Sequence, residues 1–323
     1  MMLRRALLAS ALAAPAASRP LGAQPARNPV RLVVPFPAGG ATDSISRLYA
    51  PVLAAKLGEP VVIENRPGGG GIPAAEAVTR AAPDGLTLLF TTSSTHSVQP
   101  AVNPRGLPYD PERDFTPLAL ICGTPSIVLI SSTIPATTLG EFIAWARQRR
   151  GQVNYGSSGV GTAPHLNGAL LDVLADLGME HVPYRGTGQV YAEMRRGEVH
   201  VLLDSPSTAA PHLQSGAVRA VAVTWAERTE LVPGVPTTAE AGLPGLLTNT
   251  WFGLFGPARL PAEVKARLDA ATLAAAQDAE FRQRLFALGA EARPGGAEVL
   301  TRTAREERER WAGLVQQLRI QVQ

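Results

Sequence analysis

Strand-like and helix-like segments alternate along almost the whole chain once its first 23 residues are set aside. Val30 to Pro35 is a short apolar run typical of a buried strand, and Asp43 to Leu57 follows with apolar residues on one helical face. The alternation continues from Phe115 to Thr224. It predicts an α/β fold with parallel-rich sheets and helices on both faces. From Pro261 the sequence becomes helical, which indicates two lobes between which the chain crosses and returns.

One helix is marked by its caps. Thr138-Leu-Gly-Glu141 is a capping box, in which a threonine side chain and a glutamate three residues later satisfy each other's backbone N–H groups. Gly151 is a typical helix stop. Together they predict a helix that opens after Thr138 and runs to about Arg150.

The first 23 residues have the pattern of a secretory signal peptide. Arg4 and Arg5 are followed by an apolar stretch from Ala6 to Ala17, and Gly22 and Ala23 provide a small-residue exit. Cleavage is expected near Ala23, which makes the protein periplasmic. The apolar stretch is too short to span a bilayer, and no later segment reaches about 18 consecutive apolar residues.

Removing this segment changes the charge balance. The chain has 30 Lys and Arg against 27 Asp and Glu, a formal net charge of +3. Residues 1–23 hold three arginines and no acid, so the remainder has 27 of each sign. A neutral chain without a basic stripe does not favour a nucleic-acid partner.

The chain has a single cysteine, Cys122, so no intramolecular disulfide or thiolate metal cluster can form. A lone cysteine in an apolar run is typical of core filling. A length of 323 residues allows two lobes, each with its own core.

Three loops rich in glycine and hydroxyl residues come where a predicted strand ends and a helix begins: Pro35 to Asp43, Thr92 to His96, and Tyr155 to Thr162. Glycine lets the main chain approach a ligand, and a helix N-terminus offers unpaired N–H groups and a positive dipole end. In open α/β sheets, ligands bind at the carboxyl ends of the strands. Tight turns explain any one of these loops, whereas three together favour a carboxylate site built without Arg or Lys.

Catalytic motifs are absent from the sequence. No phosphate-binding G-x-x-x-x-G-K-[ST] occurs, the nucleophile elbow G-x-S-x-G fails at Val160, and no histidine has metal-ligand spacing. Neither a metal nor a cofactor is therefore expected. His96 and His165 are more typical of hydrogen-bonding or capping residues than of a general base. Asp43, at a helix start, is first of all a cap.

The motifs, taken in order, resemble the Bug receptors, the substrate-binding proteins of tripartite tricarboxylate transporters. The matching segments are Pro35-Phe-Pro-Ala-Gly-Gly40, Glu64-Asn-Arg-Pro-Gly68, Pro83-Asp-Gly85, Thr95-His96, Pro108-Tyr-Asp-Pro-Glu-Arg-Asp-Phe-Thr-Pro117, Gly156-Ser-Ser-Gly-Val-Gly-Thr162, His165-Leu166, His181-Val-Pro-Tyr-Arg-Gly186, Pro211-His212, Val218-Arg-Ala-Val-Ala-Val-Thr224, Val235-Pro-Thr237 and Glu240-Ala-Gly242.

The resemblance implies a type II periplasmic-binding-protein fold with two crossing segments. After a signal peptide at 1–23, lobe 1 would comprise residues 27–123 and 249–323, and lobe 2 residues 124–248. The implied ligand-binding residues are Phe36, Ala38, Gly39, Gly40, Thr42 and Asp43 from the first lobe, Ser157, Gly159, Gly161, Thr162 and His165 from the second, and Thr95 and Asp204 completing the pocket. The family holds its carboxylate largely by main-chain N–H groups and bridging water.

Three residues depart from the family pattern. Ala41 stands where a third glycine is common, Gln99 where asparagine is usual, and His200 where aspartate is usual. Alanine at position 41 costs little stability unless its φ must be positive. These departures count against borrowing the ligand of any one family member, and not against the fold.

Two functions remain open at this point. The favoured one is a monomeric, non-enzymatic receptor for a small carboxylate, acting with membrane transporter subunits or with a sensor kinase. The alternative is an exported α/β hydrolase or isomerase that acts on a carboxylate. Its best nucleophile and base would be Ser157 or Ser158 with His165.

Overall fold

The computed structural model describes residues 28–103 and 106–318, where the chain forms two sheets flanked by helices. The predicted signal peptide and its cleavage position lie outside these residues. The strands are β1 Val30–Val34, β2 Val61–Asn65, β3 Thr87–Thr92, β4 Phe115–Pro125, β5 Ile127–Ser131, β6 Asn154–Ser157, β7 Glu180–Pro183, β8 Val201–Asp204, β9 Val218–Val223, β10 Asn249–Pro257 and β11 Glu291–Gly296. The helices are α1 Ala41–Leu57, α2 Ile72–Thr79, α3 Gln99–Val102, α4 Leu139–Arg147, α5 Ala163–Ala175, α6 Thr187–Arg196, α7 Pro206–Gln214, α8 Ala262–Ala276, α9 Ala279–Ala287 and α10 Ala297–Leu318.

The first sheet has the strand order β11-β4-β10-β3-β1-β2. Strand β1 pairs in parallel with β2 and β3. Strand β10 pairs antiparallel with β3 and β4, and β11 pairs antiparallel with β4. Because β1, β2 and β3 are parallel, their carboxyl ends lie at one edge of the sheet.

The second sheet has the order β7-β6-β8-β5-β9. Strand β6 pairs in parallel with β7 and β8, whereas β5 runs antiparallel to both β8 and β9. The carboxyl ends of β6, β7 and β8 therefore share an edge as well. The predicted α/β class is confirmed, although both sheets are mixed and not purely parallel.

One part of the predicted pattern is wrong. The chain after Pro261 was expected to be helical, but Glu291–Gly296 forms β11. This segment has a proline, two glycines and no β-branched residue, so its local preference is against a strand. It becomes one because it lies at the sheet edge beside β4, where a strand proline is tolerated.

Two local predictions are confirmed. The Glu141 N–H donates to Thr138 Oγ1 (3.2 Å), and the Thr138 N–H donates to Glu141 Oε2 (3.3 Å), which completes the capping box of α4. Cys122 is fully buried in the core of the first sheet, and burial raises the pKa of its thiol.

The chain passes between the two sheets at Ser126 and again between β9 and β10. The Thr224 N–H donates to the Ser126 carbonyl (2.9 Å), and the Thr248 N–H donates to the Thr224 carbonyl (3.1 Å). Thr224 Oγ1 also donates to the Ser126 carbonyl (2.8 Å). The crossing segments thus lie side by side, joined by hydrogen bonds.

Helix α10 contacts the cores of both sheets. Leu300 belongs to a buried cluster with Val33 of the first sheet. Further along the helix, Trp311 and Leu314 belong to the buried cluster that contains Val128 of the second sheet. The C-terminal helix therefore links the two halves, and its residues Thr303 and Glu307 line a cavity together with Thr224 of the crossing segments.

Candidate ligand site

Three connections meet at the edge where β1, β2 and β3 end: the first loop (residues 35–40), a turn at residues 66–71, and a π-helical turn at Ser94–Val98. They pack closely around Gly71, which has a φ of 98°. A Cβ on this glycine would lie 2.3 Å from Thr95 Oγ1 and 2.9 Å from the Cβ of Pro35. Only glycine fits at position 71. Its missing side chain lets the turn at residues 66–71 contact both Pro35 of the first loop and Thr95 of the π-helical turn.

The first loop is held from inside α1 by Asp43. The Gly39 N–H donates to Asp43 Oδ2 (2.9 Å), to which Arg47 Nε also donates (2.8 Å). Asn65 Nδ2 donates to Asp43 Oδ1 (2.9 Å) and to the Phe36 carbonyl (3.0 Å). The bond from Arg47 is the largest cause that lowers the pKa of Asp43 to about 2, with burial acting in the opposite direction. Asp43 therefore stays ionised and fixes the loop.

The start of α1 has N–H groups free for a ligand. Its N-cap is Gly40, which has no side chain to accept from them. The first-turn N–H groups, including those of Ala41 and Thr42, have no partner within the helix. The residues just before them, Ala38, Gly39 and Gly40, are exposed. Ala41 is itself helical, so its departure from the family glycine requires no positive φ.

Thr95 and His96 lie behind this edge. Thr95 is fully buried, and its Oγ1 donates to the Gly70 carbonyl (3.1 Å). His96 stacks on Phe255, with ring centroids 4.1 Å apart, and no hydrogen-bond partner of its ring nitrogens is found in the described chain. Burial lowers the pKa of His96 to about 3. The expected hydrogen-bonding or capping role of His96 is thus wrong, because its ring fills the core.

The second loop (residues 158–162) follows β6 at the other edge. Ser157, fully buried, lies with its Oγ 2.7 Å from His181 Nε2 and accepts from the Gly159 N–H (3.1 Å). Thr162 Oγ1 donates to the Gly159 carbonyl (2.7 Å). Gly159 and Gly161 have φ values of 127° and 77°, which favour glycine. The loop is therefore held by bonds within itself and by one histidine from β7.

His165 holds the same loop from inside α5. Its Nδ1 accepts from the Gly161 N–H (3.0 Å), which confirms the expected hydrogen-bonding role. Its ring stacks on that of His181, with centroids 4.0 Å apart. Burial lowers the pKa of His165 and also that of His181, the latter to about 4, where His165 is a further cause.

The start of α5 resembles that of α1. Thr162 is the N-cap, but no side chain accepts from the first N–H groups. Pro164 has no N–H, so the Ala163 and His165 N–H groups are those without a helical partner. A helix N-terminus in this state attracts an anion.

Asp204 ends β8 at the same edge. Its Oδ2 accepts from Tyr191 Oη (3.0 Å) and its Oδ1 from the Ser205 N–H (2.8 Å). Burial raises the pKa of Asp204 to about 6, against these hydrogen bonds. Its carboxyl is thus engaged within its own lobe.

The arrangement for nucleophilic catalysis is incomplete. Ser157 Oγ lies beside His181, and not beside His165 as the enzyme alternative would require. Among the described residues, no carboxylate is hydrogen-bonded to the ring of His181, and the serine is fully buried. A triad needs an acid behind the imidazole and an accessible Oγ.

Neither a metal-binding cluster nor a membrane-spanning helix occurs among residues 28–103 and 106–318. No group of three or more His, Cys, Asp or Glu is placed to hold a metal ion there. No helix in that part is long and apolar enough to cross a membrane.

Three residues with roles at these loops were not predicted as site residues: Arg47, Asn65 and His181. Asn65 and His181 lie within the segments that carry the family resemblance, Glu64-Asn-Arg-Pro-Gly68 and His181-Val-Pro-Tyr-Arg-Gly186. Arg47 lies four residues after Asp43, a spacing that brings helical side chains together. These are the sequence signals that could have identified them.

Comparison with known proteins places the chain among receptors. The model of the tripartite tricarboxylate transporter family receptor matches residues 45–320. A UPF0065 protein of Pseudomonas sp. (strain P51) is 36% identical over 321 residues, which cover 98% of this chain and 95% of that protein. MatC from Rhodopseudomonas palustris, solved with bound malate, is 38% identical with a TM-score of 0.70, covering 89% of this chain and 98% of that chain. A second R. palustris structure, with adipate, is 33% identical with a TM-score of 0.73, covering 89% and 96%. This likeness confirms the two-lobed fold.

Proposed function

The chain belongs to the tripartite tricarboxylate transporter family of receptors, and we propose that it captures a small mono- or dicarboxylate between its lobes without transforming it. The observation that carries the proposal is the pair of uncapped helix N-termini, α1 at one sheet edge and α5 at the other. Each follows a glycine loop that allows close approach of an anion to main-chain N–H groups. Relatives solved with malate and with adipate support carboxylates as the ligand class.

Within the predicted site we propose two kinds of role. The ligand is bound by main-chain N–H groups at the starts of α1 and α5, together with the exposed stretch Ala38 to Gly40 and bridging water. The Gly39 and Gly161 N–H groups already donate to Asp43 and His165, so these glycines shape the loops. Thr95 and Asp204, whose side chains have partners in their own lobes, support the pocket from behind.

We further propose that the lobes close about the crossing segments. Residues 27–123 and 249–323 would form one lobe and residues 124–248 the other. The residues of the two sheets support this division, with β4 of the first sheet running on to Pro125. Export with cleavage near Ala23 and action as a monomer complete the proposal. A closed, loaded receptor would then be recognised by membrane transporter subunits or by a sensor kinase.

The direct test is a thermal-shift screen of residues 24–323, refolded to remove bound ligand, against small carboxylates including malate and adipate. A ligand at 100 times its Kd stabilises a protein by about 2.7 kcal/mol, which shifts the melting temperature visibly. We expect a saturable shift, and mass spectrometry should recover the acid unchanged. Turnover of the acid, or silence across the panel with a folded sample, would contradict the proposal.

Loop variants test the location of the site. Gly39→Val and Gly161→Val, each at a positive φ, should abolish the shift while the far-UV circular dichroism stays that of a folded protein. Gly216→Val is the matched control, since Gly216 also has a positive φ (70°) but lies after α7, away from both loops. Wild-type affinity in both loop variants would place the ligand elsewhere.

A further inference from the structure

Two histidines and a tyrosine form a cluster of rings behind the second loop. The rings of His165 on α5 and His181 on β7 have centroids 4.0 Å apart and planes 19° apart. The ring of Tyr155 of β6 lies beside both, with its centroid 4.9 Å from that of His181 and 6.4 Å from that of His165. His165 is 7% exposed, so its ring is largely shielded from solvent.

Each histidine holds a different part of the second loop. His165 Nδ1 accepts directly from the Gly161 N–H. His181 Nε2 bonds to Ser157 Oγ, which accepts from the Gly159 N–H. Both glycines with positive φ in this loop are therefore fixed by the histidine pair, one directly and one through a serine.

The bond from the Gly161 N–H requires an uncharged His165 ring. An imidazolium has N–H groups at both nitrogens and cannot accept from Gly161, so His165 must carry its only proton on Nε2. Two charged rings in contact would also repel each other in a partly buried site. The titratable ring beside the pair is that of Tyr155 from β6. Burial first, and then the charges of Asp172 and Glu180, raise the pKa of Tyr155, which stays protonated.

We propose that His165 and His181 are positioning residues whose rings, as an uncharged pair with a fixed tautomer, hold the second loop in the form that presents the N-terminus of α5 to a carboxylate. This inference rests on the proposed function. The rings themselves do not touch the bound acid. They act through Gly161 and Ser157.

The first test needs no bound acid. Nitrogen NMR of the protein labelled with ¹⁵N-histidine reports which ring nitrogen carries the proton. We expect His165 to show Nε2–H only at pH 7.5, and both His165 and His181 to titrate below the ordinary imidazole value of about 6.5. An Nδ1–H tautomer for His165, or titration near pH 6.5, would overturn the inference, whatever the protein binds.

The second test compares variants by calorimetric titration with malate and with adipate at pH 7.5. His165→Ala should weaken binding of whichever acid binds by about tenfold or more. His165→Asn should restore it to within about threefold, because its Oδ1 can accept in place of Nδ1. His181→Phe, which keeps the stack but not the bond to Ser157, should weaken binding as well.

The matched control is His200→Ala. His200 Nδ1 accepts from the Asn154 N–H (2.9 Å), the same kind of bond at the opposite end of β6. His200→Ala should lose about as much stability as His165→Ala does, and it should keep wild-type affinity for the acid. Equal affinity in His165→Ala and wild type, or no rescue by His165→Asn, would refute the positioning role. If the wild type binds neither acid, the proposed function fails for these acids, and the NMR result alone decides on the pair.

Discussion

The loops that open α1 and α5 are alike in geometry and differ in the group that holds them. In each, the third residue of the helix reaches back four positions to the N–H of the glycine just before the N-cap. In the first loop that acceptor is the carboxylate of Asp43, and in the second it is the imidazole of His165. One local geometry is thus obtained with an ionised acid in one lobe and an uncharged base in the other.

The difference determines how each loop responds to acid. Asp43 keeps its charge down to a pKa of about 2, so the first loop stays held through the whole physiological range. His165 accepts only while its Nδ1 is unprotonated. Strong acid should therefore release the second loop before the first.

The largest expected effect comes from His96, which must be removed before the acid response of the second loop can be measured. Its pKa falls to about 3 in the folded chain from an ordinary value near 6.5, so the unfolded chain takes up a proton first as the pH falls. Stability is lost below about pH 6.5. His96→Phe should raise the unfolding free energy by about 1–2 kcal/mol at pH 7.5 and by about 3 kcal/mol more at pH 4.5.

Urea denaturation at the two pH values measures this difference. An equal gain at both would mean that His96 is not held uncharged. The acid sensitivity that remains in His96→Phe then reports on the other histidines with a lowered pKa, which are His165, His181, His200 and His212. Asp204 acts in the opposite direction: its raised pKa, about 6, means that its contribution to stability grows as the pH falls from 6 to about 3.8.

A second, smaller loss of stability is expected when the group that holds the first loop is replaced. Asp43→Asn replaces a buried carboxylate that accepts from Gly39, Arg47 and Asn65 by an amide that also carries donors. We expect a loss of about 3 kcal/mol at pH 7, since hydrogen bonds to charged groups contribute about 1.5–3 kcal/mol each. The difference should shrink as the pH falls from 3.8 to about 2, where the carboxylate of the wild type takes up a proton.

The control for this variant is Asp176→Asn. Asp176 pairs with Arg150 at the surface and has a positive φ (48°) that asparagine tolerates. Exposed pairs contribute little, so chemical denaturation should show a change below about 0.5 kcal/mol. A comparable loss in both variants would mean that the hydrogen bonds from the three donors do not make Asp43 more stabilising than an exposed aspartate.

The smallest effect separates backbone shape from side-chain chemistry in both loops. Gly39→Ala and Gly159→Ala place a Cβ at φ values of 85° and 127°, with no atom closer than 3.7 Å to the added Cβ. Each should cost about 1–2 kcal/mol from backbone strain alone. Gly40→Ala, where φ is −77°, should be nearly neutral in the same denaturation assay. A cost at Gly40 equal to that at Gly39 would contradict this reading of the loop.

Local features of the sequence predicted the site better than distant ones. The contacts from Asp43 to Gly39 and from His165 to Gly161 each span four residues, and the glycine loops that contain them stand out in the sequence. The capping box of α4 is local in the same sense. The bond between Ser157 and His181 spans 24 residues and depends on the pairing of β6 with β7, which sets Tyr155 opposite His181. No periodicity in one sequence specifies that register.

Contacts between segments distant in sequence determine two features that local patterns did not predict. Thr95 lies in a hydroxyl-rich loop of the kind that binds ligands, yet the close approach of Gly71 buries its side chain. Strand β11 exists only because β4 offers an edge. In both cases the deciding partner is remote in sequence, so tertiary contact overrides the local preference.

The order of strands in the first sheet has a consequence for synthesis. Strands β3 and β4 are not neighbours, because β10 lies between them, and β10 is made only after the entire second sheet has been made. Helix α10, which links both cores, is made later still. A chain emerging from the ribosome therefore lacks the pieces that complete its first core until its last quarter has been translated. The topology that brings the ligand loops to one sheet edge therefore also determines how late in synthesis the first core can be completed.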